Sequence, residues 1–133
     1  MTAWIWLDEQ LALALHERML VLHGGAGGVR DVGLLQSALA LPRQLEAYGE
    51  DADLAQFAAA YTFGIVRNHP FVDGNKRSGF VAGVLFLELN GARFIASEEA
   101  AAAAVIQLAA GGIDEPACAA FLRGNLFVVA GDK

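Results

Sequence analysis

Apolar residues recur along most of this chain at the spacing of an amphipathic helix. A first helix is predicted after Asp8, whose side chain can cap it, and before Gly24, which can end it. We expect the side chains three or four residues apart on one side of this helix to face the core. These positions are Leu11, Leu15, Met19 and Leu22.

Three further helices are predicted in the middle of the chain. Asp31 can cap a short second helix, which should end at Pro42 because proline has no backbone N–H to donate. The stretch from Asp53 to about Asn68 is apolar with few charges, which is typical of a buried central helix. A polar loop follows, and a fourth helix then runs as far as Asn90.

Two more helices are predicted near the C-terminal end, after a short extended link. Ser97 and the two glutamates after it can start an alanine-rich helix, which we expect to be tightly packed. Asp114 can open a last helix to about Arg123, after which residues 128–133 should fray. The prediction is an all-α fold of about six helices in one domain, residues 1–133, with the polar loop between its two central helices.

The composition narrows the class of protein. Of 133 residues, 56% are hydrophobic and 18% are charged, which excludes a disordered chain. The formal net charge of −6 would repel a nucleic-acid backbone, so no direct nucleic-acid partner is expected. The N-terminus lacks the basic segment of a secretory signal, and the charge-free stretch 100–113 is shorter than a membrane helix. We therefore expect a soluble, cytoplasmic protein with no membrane partner.

Three features outside the polar loop are assigned no chemistry. Cys118 has no second thiol to pair with and is expected to be a small core residue. The segment from Gly24 to Gly28 lacks the preceding strand and the following Lys-Ser or Lys-Thr of a phosphate-binding loop, so we interpret it as a flexible connector. His16 and His23 have no partner at metal-ligand spacing and are expected at the surface or its boundary.

Polar chemistry concentrates in residues 67–77, which hold three of the nine lysines and arginines. Lys76 and Arg77 fall in the first turn of a helix, where cations are disfavoured unless an anion lies nearby. The free N–H groups of that turn suit a phosphate. Asp73 could hold Mg²⁺ against the phosphates, and His69 could accept a proton from an incoming hydroxyl. The pattern predicts a phosphoryl-transfer site for a magnesium nucleotide.

The nine residues from His69 to Arg77, HPFVDGNKR, resemble the Fic signature H-P-F-x-[DE]-G-N-x-R. The similarity extends beyond the loop, because GLLQSAL, DLAQFAAAYTFGIVRNHPF and VLFLELNG resemble the death-on-curing (Doc) branch of that superfamily. The resemblance implies an all-helical Fic fold and a Doc-type toxin of a toxin–antitoxin system.

The resemblance also implies a role for each motif position. His69 is expected to be the catalytic base, Asp73 the magnesium ligand, and Phe71 the residue that anchors the loop in the core. The anion hole and the other contacts to the phosphates of ATP are expected from Arg67, Gly74, Asn75, Lys76 and Arg77.

The group that is transferred depends on one motif position. Fic proteins that transfer AMP usually have Gly where this chain has Lys76, whereas Doc proteins have Lys, bind the nucleotide inverted and transfer its γ-phosphate. The resemblance therefore implies phosphorylation of a threonine of elongation factor Tu and arrest of translation. Gly74 and Pro70 resemble the AMP-transferring members instead. AMP transfer thus stays open, as does an inactive module that only binds an antitoxin.

Regulation is expected to come from a separate protein. Many Fic proteins carry an inhibitory helix of the form [ST]-x-x-x-E-[GN], but no Ser or Thr of this sequence is followed by Glu four residues later. The Doc resemblance implies a Phd-like antitoxin, whose disordered tail would fold as an amphipathic helix into a groove of this domain.

Overall fold

The computed structural model describes residues 4–48 and 51–129, which form six α-helices and two short strands. The prediction of an all-α fold with about six helices is therefore confirmed. The two strands pair antiparallel, with Arg93 opposite Phe127. In chain order the elements are α1 Glu9–His23, α2 Val32–Tyr48, α3 Leu54–Asn68, α4 Asn75–Leu89, β1 Ala92–Phe94, α5 Glu98–Ala109, α6 Glu115–Gly124 and β2 Leu126–Val128.

Side-chain caps begin five of the six helices at the residues that the sequence indicates. In α3 the Asp53 carboxylate accepts the Gln56 N–H, and the Gln56 side chain accepts the Asp53 N–H, each at 2.9 Å. Such a cap contributes about 1 kcal/mol to stability. The other four caps, each of which accepts an N–H three residues further on, are Asp8, Asp31, Ser97 and Asp114.

Helix α2 does not end at Pro42 and continues to Tyr48, so that prediction is wrong. Pro42 is buried within the helix, and Leu45, one turn later, packs against the core. The side chain of Pro42 is fully removed from water and that of Leu45 partly, and this burial offsets part of the roughly 3 kcal/mol that proline costs inside a helix. Tertiary packing therefore overrides the local helix-breaking signal.

Helix α3 lies at the centre of the bundle with nine buried residues, as predicted. It packs closely on α4 because Gly79 and Gly83 present no side chain at the contact. A Cβ at Gly83 would lie 2.9 Å from the Ala58 carbonyl oxygen and would overlap the Thr62 hydroxyl. Thr62 in turn donates to the Gly79 carbonyl oxygen at 2.9 Å. This contact holds together the two helices that flank the motif loop.

Only part of the predicted apolar face of α1 packs against the core. Ala12 and His16 are buried, whereas Leu11 and Leu22 are 36% and 55% exposed. The spacing of apolar residues does not indicate these two fully buried positions, because one of them is occupied by a polar residue. His16 is buried against Phe71 of the motif loop, a partner that the spacing within α1 cannot indicate.

Two predictions for the C-terminal third are also wrong. Val128 does not fray but pairs with Ala92 in the small sheet, while residues 130–133 lie outside the described residues. Within α5, which is described in full, Leu108 alone is buried, so this helix is not tightly packed. No helix within the described residues is long and apolar enough to cross a membrane.

Candidate active site

The motif loop, residues 69–74, connects the end of α3 to the start of α4. His69 ends α3 in a left-handed conformation, with φ 55° and ψ 53°, and its N–H donates to the Ile65 carbonyl oxygen at 3.0 Å. This conformation is uncommon for a residue other than glycine, and such strain, which costs about 1–3 kcal/mol, is concentrated at functional sites. The His69 side chain is exposed and lines a cavity beside the loop.

Phe71 and Asn75 fasten this loop to the core. Phe71 is 1% exposed, as expected for an anchor. The Asn75 side chain, which is 3% exposed, accepts the Phe71 N–H with Oδ1 and donates to the Phe71 carbonyl oxygen with Nδ2, both at 2.9 Å. The Asn75 amide therefore closes the loop onto α4. What Asn75 can offer to an anion is its backbone N–H.

A histidine of α1 supports the loop from the other side. The ring of His16 lies parallel to that of Phe71, with 3.8 Å between the ring centroids, and its Nε2 lies 2.7 Å from the Asp73 carbonyl oxygen. His16 is only 3% exposed, so the prediction of a surface histidine is wrong at this position. It is confirmed for His23, which is exposed.

The first turn of α4 presents unpaired N–H groups to the cavity. Gly74 is the N-cap residue, in a left-handed conformation with φ 80°, and supplies no side-chain cap. Within the described part of the chain, the N–H groups of Asn75, Lys76 and Arg77 have no acceptor, and all three residues line the cavity. The Gly74 N–H is excluded from this set, because it donates to Asp73 Oδ1 at 2.9 Å. This helix end is suited to an anion.

The glycine-rich segment closes on the motif loop and is more than a connector. The Ala26 N–H donates to Asp73 Oδ2 at 3.2 Å, and a Cβ at Gly25 would lie 2.9 Å from the same oxygen. The Val72 N–H donates to the Gly28 carbonyl oxygen at 3.0 Å. Glycine suits this position because Gly25 has a positive φ of 121° and because an added side chain would displace the Asp73 carboxylate or the segment itself.

Asp73 is the residue of this site that could hold a metal ion. Each of its carboxylate oxygens accepts one backbone N–H, which leaves lone pairs free on both. No group of three or more His, Cys, Asp or Glu that could hold a metal occurs within residues 4–48 and 51–129. A metal ion at Asp73 would thus have to share its coordination with a ligand, as Mg²⁺ does with nucleotide phosphates.

A cavity of about 610 Å³ opens beside the loop, a size within the usual range for small-molecule sites. Among the described residues that line the cavity, Asp73 is the one acidic side chain, whereas Lys76 and Arg77 are both cationic. The polar part of the lining therefore carries more positive than negative charge. That part is formed by His23, His69, Asp73, Lys76 and Arg77. The rest of the lining is mostly apolar and includes Met19, Phe80, Ala101, Ala102, Val105 and Ile106.

Arg67 is a predicted site residue that the fold does not bring to the cavity. Its guanidinium carbon lies 5.0 Å from the ring centroid of Phe63, and it is not among the lining residues. The six other predicted site residues do line the cavity: His69, Asp73, Gly74, Asn75, Lys76 and Arg77.

Three residues around the site were not indicated by the sequence. Arg30 donates to the carbonyl oxygens of Asn68 and His69, His16 supports the loop, and His23 lines the cavity. No local pattern could have indicated Arg30 or His16, because their partners lie 38 to 57 residues away in the sequence.

Cys118 lies in the core on α6, as predicted. Burial raises the pKa of its thiol to about 11, with a smaller contribution from the charge of Glu115. The thiol is therefore protonated at neutral pH, and we assign it no part in the chemistry.

Comparison with known proteins identifies the class to which this fold and site belong. The model of the Fic/DOC family matches residues 6–87, a range that runs from the segment before α1 into the last turn of α4. The motif loop lies within this range. The chain therefore belongs to the Fic/DOC family.

Two relatives of the chain are named as Doc proteins. It is 45% identical over 78 residues to the Toxin Doc of Mycolicibacterium smegmatis, an alignment that covers 57% of this chain and 59% of that protein. It is 33% identical over 95 residues to the Protein kinase doc of Escherichia phage P1, which covers 71% of this chain and 75% of the phage protein. The chain thus spans about three-fifths of the mycobacterial relative. The resemblance to the Doc branch is confirmed.

Proposed function

We propose that this protein transfers the γ-phosphate of ATP to a hydroxyl group of a protein substrate. The observation that carries the proposal is the meeting of four features on one cavity. They are the unpaired N–H groups of residues 75–77, the cations Lys76 and Arg77, the Asp73 carboxylate and the His69 imidazole. An anion-binding helix end beside a general base is the arrangement that phosphoryl transfer to a hydroxyl requires.

His69 would act as the general base. It takes the proton of the acceptor hydroxyl while the hydroxyl oxygen forms its bond to the γ-phosphorus. The bond from this phosphorus to the oxygen shared with the β-phosphate breaks, and ADP leaves with that oxygen. The N–H groups of residues 75–77, together with Lys76 and Arg77, hold the phosphate oxygens and stabilise their charge.

Asp73 would hold Mg²⁺, which supplies neutralisation of the phosphate charge when it is bound. The site fits this ion, because Mg²⁺ commonly takes one or two carboxylates and completes its shell with phosphate oxygens and water. Asp73 offers one carboxylate with free lone pairs beside an anion-binding helix end.

Lys76 favours transfer of the terminal phosphate over transfer of AMP. Lys76 is a second cation next to Arg77, so it adds positive charge at the start of α4, where phosphate would bind. The added charge affects which end of the triphosphate is best neutralised there. The phage relative whose name is Protein kinase doc supports the same choice. AMP transfer is the second candidate, because Gly74 and Pro70 resemble the AMP-transferring members of the family.

Elongation factor Tu is the proposed substrate, modified on a threonine in the cytoplasm, with arrest of translation as the result. The Doc resemblance supports this substrate, and a threonine hydroxyl suits a histidine base. The proposed inhibitor is a Phd-like antitoxin. It is supported by the relative named Toxin Doc and by the absence of glutamate among the described residues that line the cavity.

Labelled ATP tests the transferred group. The protein is incubated with elongation factor Tu, Mg²⁺ and either [γ-³²P]ATP or [α-³²P]ATP. We expect label on the factor from the γ-position only. Label from the α-position identifies an AMP transferase instead. If neither label is transferred while a Phd-like antitoxin still binds, the protein is an inactive binding module.

Two histidine variants test the base. His69→Ala should lower the transfer rate by about 10²–10⁴-fold, the usual contribution of a general base. His23→Ala removes the other histidine of the cavity and should leave most of the rate. Equal losses in the two variants would contradict the assignment of His69.

A further inference from the structure

Arg30, in the segment between α1 and α2, binds the backbone of the motif loop. Its Nε donates to the His69 carbonyl oxygen at 2.7 Å, and its Nη2 donates to the Asn68 carbonyl oxygen at 3.0 Å. The backbone N–H groups of Arg30 and Asp31 both donate to the Pro70 carbonyl oxygen, at 2.6 and 3.1 Å. One short segment therefore holds three consecutive carbonyl groups.

These carbonyl groups need donors because α3 ends there. The last carbonyls of a helix have no partner within it, and His69, the residue before Pro70, has left the right-handed helical conformation. A guanidinium presents its N–H groups in one rigid plane, so it can bind two neighbouring carbonyls together. Its positive charge is also favoured at the C-terminal end of a helix. Arg30 thus provides the cap for α3 from a distant part of the chain.

The two hydrogen bonds of Arg30 bear directly on the conformation of His69. The Asn68 carbonyl belongs to the peptide group before the His69 Cα, and the His69 carbonyl belongs to the peptide group after it. Arg30 therefore restrains both peptide planes that define φ and ψ of His69. A strained left-handed residue keeps its conformation only where its surroundings hold it, and these two planes also set the direction of its Cα–Cβ bond.

We propose that Arg30 is a positioning residue that directs the His69 imidazole into the cavity. Arg30 is not among the described residues that line the cavity, so it acts through His69 and not on the nucleotide. The inference rests on the proposed function, in which His69 is the base. The geometry that it describes can nevertheless be measured without any activity.

Kinetics provide the first test. Arg30→Gln removes the charge and the planar fork, and Arg30→Lys keeps the charge with a single donor group. We expect Arg30→Gln to lower kcat roughly ten- to a hundredfold, since a misplacement of about 1 Å can have that effect, while KM for ATP stays nearly constant. The kcat of Arg30→Lys should lie between those of Arg30→Gln and the wild type. Arg30→Lys also serves as the test variant if Arg30→Gln is unfolded at the assay temperature. Arg93→Gln, which removes an exposed arginine of β1, is the matched control.

NMR of the histidine rings provides a second test that needs no turnover. The chain has three histidines, so three ring signals are expected, and single His→Ala variants assign them. Arg30→Gln should shift or broaden the His69 signal, because its ring occupies new positions. The His16 signal should stay in place and report that the loop is still folded. Arg93→Gln should move none of the three.

The outcomes separate this inference from the proposed function. In an active protein, both the fall in kcat and the change in the His69 signal are expected, and either one alone overturns the role of Arg30. A rise in KM for ATP at constant kcat also overturns it, because Arg30 would then bind the nucleotide itself. If the wild type transfers neither phosphate nor AMP, the proposed function fails, and the NMR comparison alone decides whether Arg30 positions His69.

Discussion

The His16 imidazole and the backbone carbonyl of Asp73 are joined by a hydrogen bond of 2.7 Å between residues 57 positions apart. Because a carbonyl oxygen only accepts hydrogen bonds, Nε2 of His16 carries a proton. The same ring stacks on Phe71. One side chain of α1 thereby supports the anchor of the motif loop and the backbone of the residue proposed to bind Mg²⁺.

His16→Leu should lower the free energy of unfolding by about 1–3 kcal/mol, because the partly buried Asp73 carbonyl loses its donor. Urea denaturation measures the change. His23→Leu, at an exposed position of the same helix, should stay within about 0.5 kcal/mol of the wild type. Equal effects in the two variants would show that the bond to Asp73 does not stabilise the fold.

Asn75→Ala should destabilise the protein more than the small change in side-chain volume suggests. It leaves both backbone groups of Phe71 without their partner, and each such buried group costs about 1–3 kcal/mol. We expect a loss of stability of about 2–4 kcal/mol and weaker ATP binding, measured by urea denaturation and by calorimetry. Asn125→Ala, which removes one side-chain bond to the Phe121 carbonyl oxygen, is the control with the smaller expected loss.

Gly25→Ala should impair Mg²⁺-dependent ATP binding. Its Cβ would lie 2.9 Å from Asp73 Oδ2, so the carboxylate or the glycine segment must move. Gly24→Ala is the matched control, because Gly24 also has a positive φ but has no atom within 4 Å of the added Cβ. Calorimetric titration with ATP at several Mg²⁺ concentrations should show a weaker Mg²⁺ dependence in Gly25→Ala alone. The same loss in both variants would assign the effect to backbone strain.

Gly83→Ala should destabilise the bundle by about 1–3 kcal/mol, the usual cost of overpacking, because the added methyl group overlaps Thr62 and Ala58 of α3. Gly124→Ala, near the end of α6, meets no atom within 4 Å and should leave the stability equal or higher by about 0.4–1 kcal/mol. Thermal unfolding of both variants checks this. A stable Gly83→Ala would mean that α3 and α4 can separate without loss.

The raised pKa of the Cys118 thiol predicts how the free energy of unfolding changes at alkaline pH. Its folded pKa of about 11 lies above the ordinary value of 9.0, so the folded state keeps the proton more strongly. The protonated thiol therefore contributes to the free energy of unfolding. This contribution is fully present below pH 9 and is lost as the pH rises towards 11, at up to about 1.4 kcal/mol per pH unit. Urea denaturation between these pH values should therefore show a steeper decline for the wild type than for Cys118→Ala. Parallel curves would contradict the burial of the thiol.

Helix starts were predictable because capping is a local interaction. Asp53 and Gln56 are three residues apart, and their reciprocal bonds need no partner from elsewhere. Pro42 shows the limit of such signals, since it breaks a helix only where packing does not offset its cost. The pairing of Ala92 with Val128 was likewise missed, because neither short strand can be recognised without the other.

The sequence by itself determined the all-helical class, the contiguous motif from His69 to Arg77 and the helix end on which its cations lie, since these depend on residues that are close along the chain. Only the tertiary structure decided that Asn75 turns its side chain into the loop, that Arg67 stays outside the cavity, and that His16 and Arg30 support the motif. Hydrogen bonds that join distant parts of a chain depend on how the helices pack against one another. The spacing of residues within one helix does not indicate that packing.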